Sequence, residues 1–138
     1  MINSRNLSDL LPVVATKARA FIAAAKREGI DLICTSTYRD HASQNALWAQ
    51  GRTKPGKIVT NARGGQSYHQ YRVAFDVCPV IAGKCVWNDQ KLWRRIGELG
   101  EAAGLEWAGR WKTFREMPHF QYTGGLTLTQ LRQGQVPT

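Results

Sequence analysis

Two of the three histidines in this chain stand close to carboxylates along the sequence, and this pairing is its clearest sign of chemistry. His69 comes seven residues before Asp76, and Glu116 comes three residues before His119. Two neutral imidazoles and one carboxylate form a ligand set that suits zinc and leaves a fourth position for water, as in a catalytic site. Because a histidine near an aspartate is also typical of a surface pair, a site without metal stays open on these residues alone.

Glu116 is separated from His119 by only Met117 and Pro118, so its carboxylate can approach a bound metal without being a ligand. This position suits a general base. Zinc lowers the pKa of a coordinated water to about 7, and a nearby carboxylate can take the proton and pass it to a leaving amine. These residues therefore predict a site that hydrolyses amides.

Three blocks of sequence, in order along the chain, resemble the motifs of a known peptidase family. The segment from Ser67 to Asp76, SYHQYRVAFD, closely resembles the signature S-x-H-x-x-G-x-A-x-D of the LAS-type zinc peptidases, the M15 family. The segment 116–119, EMPH, resembles the second motif, in which an acidic residue comes three positions before the last zinc-binding histidine. The segment 36–39, STYR, together with Gln44 resembles the upstream arginine motif. The joint occurrence of the three blocks is far more specific than any one of them.

The resemblance implies a role for each residue that matches a motif. It implies that Zn²⁺ is bound by His69, Asp76 and His119. Glu116 would be the catalytic base, and the guanidinium of Arg39 would donate to the scissile carbonyl oxygen or to a substrate carboxylate. Ser67 and Gln44 would contact the substrate.

The resemblance also implies a substrate, the peptide stems of bacterial peptidoglycan. The short chain, the basic charge and an N-terminus without an export signal look most like the phage endolysins that act as L-alanyl-D-glutamate endopeptidases. We therefore expect a monomer that is made in a host cytoplasm and reaches the cell wall once the membrane is permeabilised. A D-alanyl-D-alanine carboxypeptidase of the same family is the alternative, because the motifs do not separate the two activities.

One position departs from the family signature. Arg72 stands where the signature has glycine, a residue that permits a positive φ or a close backbone approach. We therefore expect an ordinary backbone conformation or a locally altered turn there. The Arg72 side chain is predicted to be a solvated strand residue, with a second anion contact as the alternative.

Apolar periodicity and breaker residues predict the elements that carry these motifs. The pattern favours an α+β fold in which helices pack around a small, mostly antiparallel sheet, as a single domain over residues 1–138. Long loops are expected at 52–66 and 109–118. The predicted elements are a helix from a Ser8 cap to Gly29, a strand at 32–38, a helix from an Asp40 cap to Gly51, strands at 71–80 and 84–87, a helix from an Asn88 cap to Gly104, strands at 105–107 and 119–122, and a helical turn or two within 127–134.

Aromatic and sulfur-containing side chains outside the motifs are predicted mainly as packing residues. The three cysteines lack C-x-x-C spacing, so they are expected to be buried thiols, with a Cys78–Cys85 bridge across a hairpin as the alternative. Trp48, Trp87 and Trp93 are predicted as core residues. Residues that flank Glu116 could instead line a cleft, with packing as the alternative, and these are Trp107, Trp111 and Phe114.

Composition limits the classes of function. Hydrophobic residues make up 43% of the 138 residues and charged residues 21%, which excludes a disordered or low-complexity chain. The longest apolar stretch is interrupted by Lys17 and Arg19, so no stable membrane insertion is expected. A net charge of +9 favours a polyanionic partner. A basic nucleic-acid-binding module without catalysis is the alternative from another class, but no RNA- or DNA-binding signature is present, so binding of nucleic acid is not expected.

Overall fold

The helices and strands agree in number and order with those predicted. The computed structural model describes residues 1–138. The helices are α1 (Pro12–Arg27), α2 (His41–Ala49), α3 (Gln90–Ala102) and α4 (Leu128–Arg132). The strands are β1 (Leu32–Ser36), β2 (Ala74–Ile81), β3 (Lys84–Cys85), β4 (Glu106–Trp107) and β5 (His119–Gln121), and 3₁₀ turns lie at Leu7–Asp9, Tyr68–Tyr71 and Ala108–Arg110. None of the helices has the length and apolar character that a membrane span needs.

A five-stranded sheet with β2 at its centre places the histidine motifs side by side. The strand order is β1-β2-β5-β4, and β3 pairs with the far end of β2. Every pair of strands is antiparallel, which confirms the predicted α+β fold. The register places Asp76 of β2 directly opposite His119 of β5, so two motifs distant in sequence meet across one ladder.

The hydrophobic core lies between the sheet and the two longest helices. In α1, residues three or four apart are buried together, among them Val14, Ala18 and Phe21, as the helical period requires. The ring of Phe21 packs on Phe120 of β5 with centroids 4.6 Å apart. The core thus holds β2 and β5 rigidly at the point where both carry a predicted zinc ligand.

Two predicted helix caps are displaced, each for a local reason. Ser8 lies inside a 3₁₀ turn, and α1 begins at Pro12, a residue favoured in the first helical turn because it needs no N–H partner there. The third helix is capped by Asp89, whose carboxylate accepts the N–H of Leu92, and not by the preceding Asn88. The predicted cap at Asp40 is confirmed, since its carboxylate accepts the N–H of Ser43.

The prediction of three buried thiols is wrong for two of the cysteines. Cys78 and Cys85 form a disulfide between β2 and β3, the alternative that the hairpin spacing had left open. Their Cα atoms are 5.8 Å apart, which is the separation that a disulfide requires. Cys34 is a free, half-buried cysteine, and burial raises the pKa of its thiol to about 11.

Candidate metal centre

The three predicted zinc ligands converge beside the centre of the sheet. His69 lies on the 3₁₀ turn Tyr68–Tyr71, Asp76 on β2 and His119 on β5. One nitrogen of each histidine and one oxygen of the aspartate lie within 4.8 Å of one another. Both histidines are buried, and the Asp76 side chain is 23% exposed. The metal site predicted from the two motifs is therefore assembled by the fold.

A single carboxylate oxygen lies between the two imidazoles. Oδ1 of Asp76 is 3.5 Å from Nε2 of His69 and 3.3 Å from Nδ1 of His119. Burial alone would raise the pKa of the Asp76 carboxyl, but the two imidazoles outweigh it and hold that pKa well below its usual range. Asp76 is therefore ionised and available as an anionic ligand.

Hydrogen bonds on the far side of each ring determine which nitrogen faces the site. Nδ1 of His69 lies 2.7 Å from the carbonyl oxygen of Thr37, which can only accept, so Nδ1 carries the proton and Nε2 keeps its lone pair. For His119, the orientation depends on two successive hydrogen bonds. The amide nitrogen of Gln121 donates to the carboxylate of Glu106, at 3.1 Å, so its amide oxygen faces Nε2 of His119 at 2.8 Å. Nε2 therefore donates, and Nδ1 is the nitrogen that faces the metal site.

This donor set fits a zinc ion. Two imidazole lone pairs and one ionised carboxylate point to a common centre, and each ring is oriented by an outer hydrogen bond, as is usual for histidine ligands. Three protein ligands leave a further coordination position open, which a catalytic zinc requires and a structural zinc does not.

Glu116 lies at the edge of this centre and is not part of the buried ligand set. Its carboxylate is 3.6 Å from Nδ1 of His119, and its side chain is 47% exposed. The loop that carries it is held by two bonds: the Glu116 N–H donates to Ala108 at 3.3 Å, and the indole N–H of Trp107 donates to Met117 at 2.9 Å. The predicted base is thus fixed beside the metal-facing nitrogen while staying open to water.

Arg39 approaches the centre from the end of β1. Its Nη2 is 3.9 Å from Oδ2 of Asp76, and its Nε is buried without a hydrogen-bond partner. Burial lowers the pKa of this guanidinium, and the carboxylates of Asp76 and Glu116 oppose that shift. The group is therefore a charged donor next to the carboxylates of the site, in the place that the predicted catalytic role needs.

Gln44 is buried behind Arg39. Its amide oxygen accepts from Nη1 of Arg39 at 2.9 Å, and its amide nitrogen donates to the carbonyl of Ala62 at 2.8 Å. Only 1% of Gln44 is exposed. This location favours a role in holding Arg39 against the loop 51–66 over the substrate contact predicted from the sequence.

Ser67 caps the 3₁₀ turn that carries His69. Its hydroxyl accepts the His69 N–H at 3.3 Å, and its own N–H donates to the side-chain oxygen of Gln70, which completes a capping box. Ser67 also lines the cavity over the metal centre. The structure therefore shows a structural role for Ser67, while its contact with substrate stays a prediction.

An open cavity of about 630 Å³ leads to these residues. One wall is formed by the long loop 51–66, through residues such as Val59, Thr60 and Gln66. The lining also includes Trp87, Trp93, Trp111, Arg115 and Met117. A cavity of this size accommodates a ligand of several residues and not only a single small group.

Comparison with known proteins identifies the family. Peptidoglycan L-alanyl-D-glutamate endopeptidase CwlK of Bacillus subtilis (strain 168) is 41% identical over 123 residues, which cover 83% of this chain and 74% of CwlK. The chain belongs to the M15 family of zinc peptidases. A family profile described as D-alanyl-D-alanine carboxypeptidase also matches residues 60–122, which include the three ligands and Glu116. The predictions of a metallopeptidase and of zinc as its cofactor are thereby confirmed.

Solved structures share the M15 fold at low sequence identity. The L-Ala D-Glu endopeptidase ChiX of Serratia marcescens has a TM-score of 0.66 at 22% identity, covering 95% of this chain and 92% of that one. The vancomycin resistance D,D-pentapeptidase VanY of a VanB-type cassette, solved as a mutant in complex with Zn(II), also has a TM-score of 0.66, at 18% identity. This match covers 90% of this chain and 78% of the VanY chain.

The ordinary backbone conformation expected for Arg72 is wrong in this M15 peptidase. Its backbone is left-handed, with φ 61° and ψ 26°, which is the conformation that the glycine of the family signature permits. The alternative for its side chain, a second anion contact, stays a prediction. Arg72 is half-buried and precedes β2, so its guanidinium is not the solvated strand group that was predicted. It stacks on the ring of Tyr38 at 3.9 Å and donates to the carbonyl of Asp9 at 2.8 Å. These contacts offset the cost of a left-handed arginine, about 1–2 kcal/mol.

Several functional residues were missed by reasoning from the sequence. Gln121 could have been found, because residues two apart on a strand share a face, and it therefore lies beside His119. Glu106 had no such signal, since only the β4–β5 pairing brings it to Gln121.

Trp87 was predicted in the core, but it is 49% exposed and lines the cavity. Of the aromatics around Glu116, Trp111 lines the cavity, whereas Trp107 is buried and Phe114 is exposed outside it.

Proposed function

We propose that this M15 peptidase is a peptidoglycan endopeptidase that hydrolyses the bond between L-alanine and D-glutamate in stem peptides. The observation that carries the hydrolytic reaction is the position of the Glu116 carboxylate, 3.6 Å from the metal-facing nitrogen of His119 and open to the cavity. The choice of bond is supported by the sequence similarity to CwlK, a peptidoglycan L-alanyl-D-glutamate endopeptidase.

The buried ligands and the exposed base divide the work of hydrolysis. His69, Asp76 and His119 hold the metal, and a bound zinc ion supplies the Lewis acidity that acidifies water and polarises a carbonyl. Glu116 accepts a proton from the attacking water while the water oxygen bonds to the carbonyl carbon of alanine. The same carboxyl then delivers that proton to the glutamate nitrogen as the C–N bond breaks. The products are a new alanine carboxylate and a new glutamate amine.

Arg39 stabilises negative charge in this scheme. Its guanidinium is fixed by hydrogen bonds to Gln44 and to the hydroxyl of Ser36, at 2.9 and 3.1 Å. A donor held in place before the reaction stabilises the developing oxyanion without the cost of reorganisation. It is also a suitable partner for a carboxylate of the substrate, because guanidinium and carboxylate geometries match.

Mass spectrometry of purified sacculi digested by the zinc-loaded protein tests this function. We expect new C-terminal L-alanine and N-terminal D-glutamate ends, absent from digests by the Glu116→Ala variant and by chelator-treated protein. Release of terminal D-alanine instead would identify a D-alanyl-D-alanine carboxypeptidase, the activity in the description of the matching family profile. Sacculi left unchanged by a folded, zinc-loaded protein would reject both activities.

A role as a phage endolysin is a further part of the proposal. The net charge of +9 supports it, because a basic protein is attracted to the anionic polymers of a cell wall. Production of the protein in a bacterial cytoplasm tests it. We expect cells to stay intact until a membrane-permeabilising agent is added and then to lyse, whereas cells producing Glu116→Ala should not lyse. Lysis that does not depend on permeabilisation would contradict this role.

A further inference from the structure

Trp87 is exposed, although the tryptophan that stacks on it is buried. It lies after β3 and forms part of the cavity wall, with 49% of its surface exposed. Its stacking partner Trp93 is 1% exposed, with ring centroids 6.3 Å apart. Both residues line the cavity, but Trp87 is exposed whereas Trp93 is almost fully buried. An exposed indole beside a catalytic site is a candidate for binding substrate.

Three contacts fix the backbone that carries this exposed ring. The Cys78–Cys85 disulfide closes the hairpin two residues before it, and the Val86 N–H donates to the carbonyl of Pro79 at 2.9 Å. The indole N–H of Trp93 donates to the carbonyl of Trp87 itself at 3.0 Å. A ring whose backbone is fixed in advance loses little conformational freedom when a ligand stacks on it. Such anchoring is more than a solvent-exposed packing residue requires.

The proposed substrate brings a sugar close to the scissile bond. The nitrogen of the stem L-alanine is acylated by the lactyl group of N-acetylmuramic acid, so only one amino acid separates the sugar substituent from the bond that breaks. A substrate bound at the metal centre must therefore place its sugar in or beside the cavity. The cavity, at about 630 Å³, is within the range of sites that bind drug-sized ligands.

A pyranose ring suits this wall. The C–H groups on one face of the ring are apolar and slightly positive, and the face of an indole is apolar and negative. The lining of the same cavity also offers polar groups for the sugar hydroxyls and acetamido group, including the side chains of Thr60 and Gln66. A cavity lined by both an exposed indole and hydrogen-bonding groups fits a sugar better than an extended peptide.

We propose that Trp87 forms a sugar-binding subsite that takes N-acetylmuramic acid, so that the enzyme prefers stems linked to glycan over free peptides. This inference rests on the proposed endopeptidase function. It adds a binding site for the sugar on the N-terminal side of the scissile bond.

Two substrates that share the same scissile bond test it. One is a disaccharide-linked stem peptide, and the other is the same peptide acetylated on L-alanine, which keeps the amide and removes the sugar. We expect Trp87→Ala to lower kcat/KM for the glycan-linked substrate about tenfold, mainly through KM, and to change it less than twofold for the acetylated peptide. Trp87→Phe should recover most of the loss. Ile81→Ala, an exposed apolar residue of the same hairpin outside the cavity, should change neither.

Equal losses of Trp87→Ala on both substrates, or no loss on either, would overturn the subsite. If the wild-type protein cleaves neither substrate, the proposed function fails, and binding of N-acetylmuramoyl-L-alanine still decides the role of Trp87. In a calorimetric titration of this sugar-linked alanine, we expect binding to the wild type and at least tenfold weaker binding to Trp87→Ala. Equal binding to the two proteins, or none to the wild type, would overturn the inference.

Discussion

The metal centre and the walls of the cavity differ in how the fold holds them. His69 and His119 are 3% and 4% exposed, lie on a 3₁₀ turn and a strand, and each donates an outer hydrogen bond. Glu116 and Trp87 lie on connecting segments, and about half of each side chain or residue is exposed. We call His69, Asp76 and His119 the ligand half of the site, and the connecting segments that carry Glu116 and Trp87 the loop half. The ligand half is specified by sheet register, and the loop half by local anchors.

This difference separates the chemistry from the choice of bond. Loops on a rigid scaffold can change without disturbing the elements beneath them. We infer that the ligand half determines whether an amide is hydrolysed, and that the loop half determines which one.

Loss of a ligand should have the largest effect. His119→Ala removes one imidazole and leaves the Asp76 carboxylate with a single histidine neighbour. We expect zinc content to fall below one tenth per chain and activity to fall by about 10³-fold or more, because the metal contributes several kcal/mol to the transition state. Elemental analysis and peptide cleavage measure the two quantities. His41→Ala, which changes a histidine outside the centre, should alter neither. Full zinc content in His119→Ala would break the ligand assignment.

Loss of the base should abolish turnover but leave the ligand half intact. Glu116→Gln keeps the shape of the side chain and removes the proton acceptor. We expect kcat to fall by about 10²–10⁴-fold, with zinc content and thermal midpoint unchanged, because the side chain is 47% exposed and is not a ligand. Cleavage assays, elemental analysis and thermal unfolding together separate these effects. A parallel loss of zinc would assign Glu116 to the ligand half.

The ligand half was also the more predictable of the two from sequence. Its three residues could be predicted because zinc chemistry restricts residue types and because their motifs are short and local. In the loop half, Glu116 could be predicted because it shares such a motif with His119. Gln44 was matched to a motif too, but a motif does not show whether a side chain faces substrate or packs behind Arg39. Trp87 was assigned to the core because hydrophobicity indicates burial on average and cannot show which of two stacked indoles is left exposed.

The outer hydrogen bond of His119 offers a finer test of the ligand half. Gln121→Leu removes the hydrogen-bond acceptor of His119 Nε2. The proton is then no longer held on Nε2, so the Nδ1 lone pair is less available to the metal. We expect zinc to bind about 10–100-fold more weakly in competition with a chelator. Gln133→Leu, at an exposed glutamine next to α4, is the matched control and should bind zinc as the wild type does. Unchanged affinity in Gln121→Leu would show that sheet register alone orients the ring.

Removal of the disulfide tests the anchoring of the loop half. The double variant Cys78→Ala with Cys85→Ala frees the hairpin that precedes Trp87. We expect the free energy of unfolding to fall by about 2 kcal/mol, since a short loop gains entropy in the unfolded chain. Zinc affinity should stay within twofold, because Asp76, although it lies on the same strand as Cys78, is held by its own pairing with His119 of β5. The preference for glycan-linked substrate should decline. Denaturant unfolding and chelator competition measure the first two, and weakened zinc binding would show that the two halves are coupled.

The smallest expected effect lies at the junction that leads from His69 into β2. Arg72 is left-handed there, so Arg72→Gly and Arg72→Ala lose the same contacts with Tyr38 and Asp9, but only alanine keeps the strain of a Cβ. We expect the glycine variant to be more stable by about 1 kcal/mol in denaturant unfolding. At Arg94, an exposed position inside α3, the order should reverse, because glycine is unfavourable in a helix. If alanine is the more stable variant at both positions, the left-handed conformation of Arg72 is wrong. A difference in zinc affinity between the two Arg72 variants would extend the ligand half to this residue.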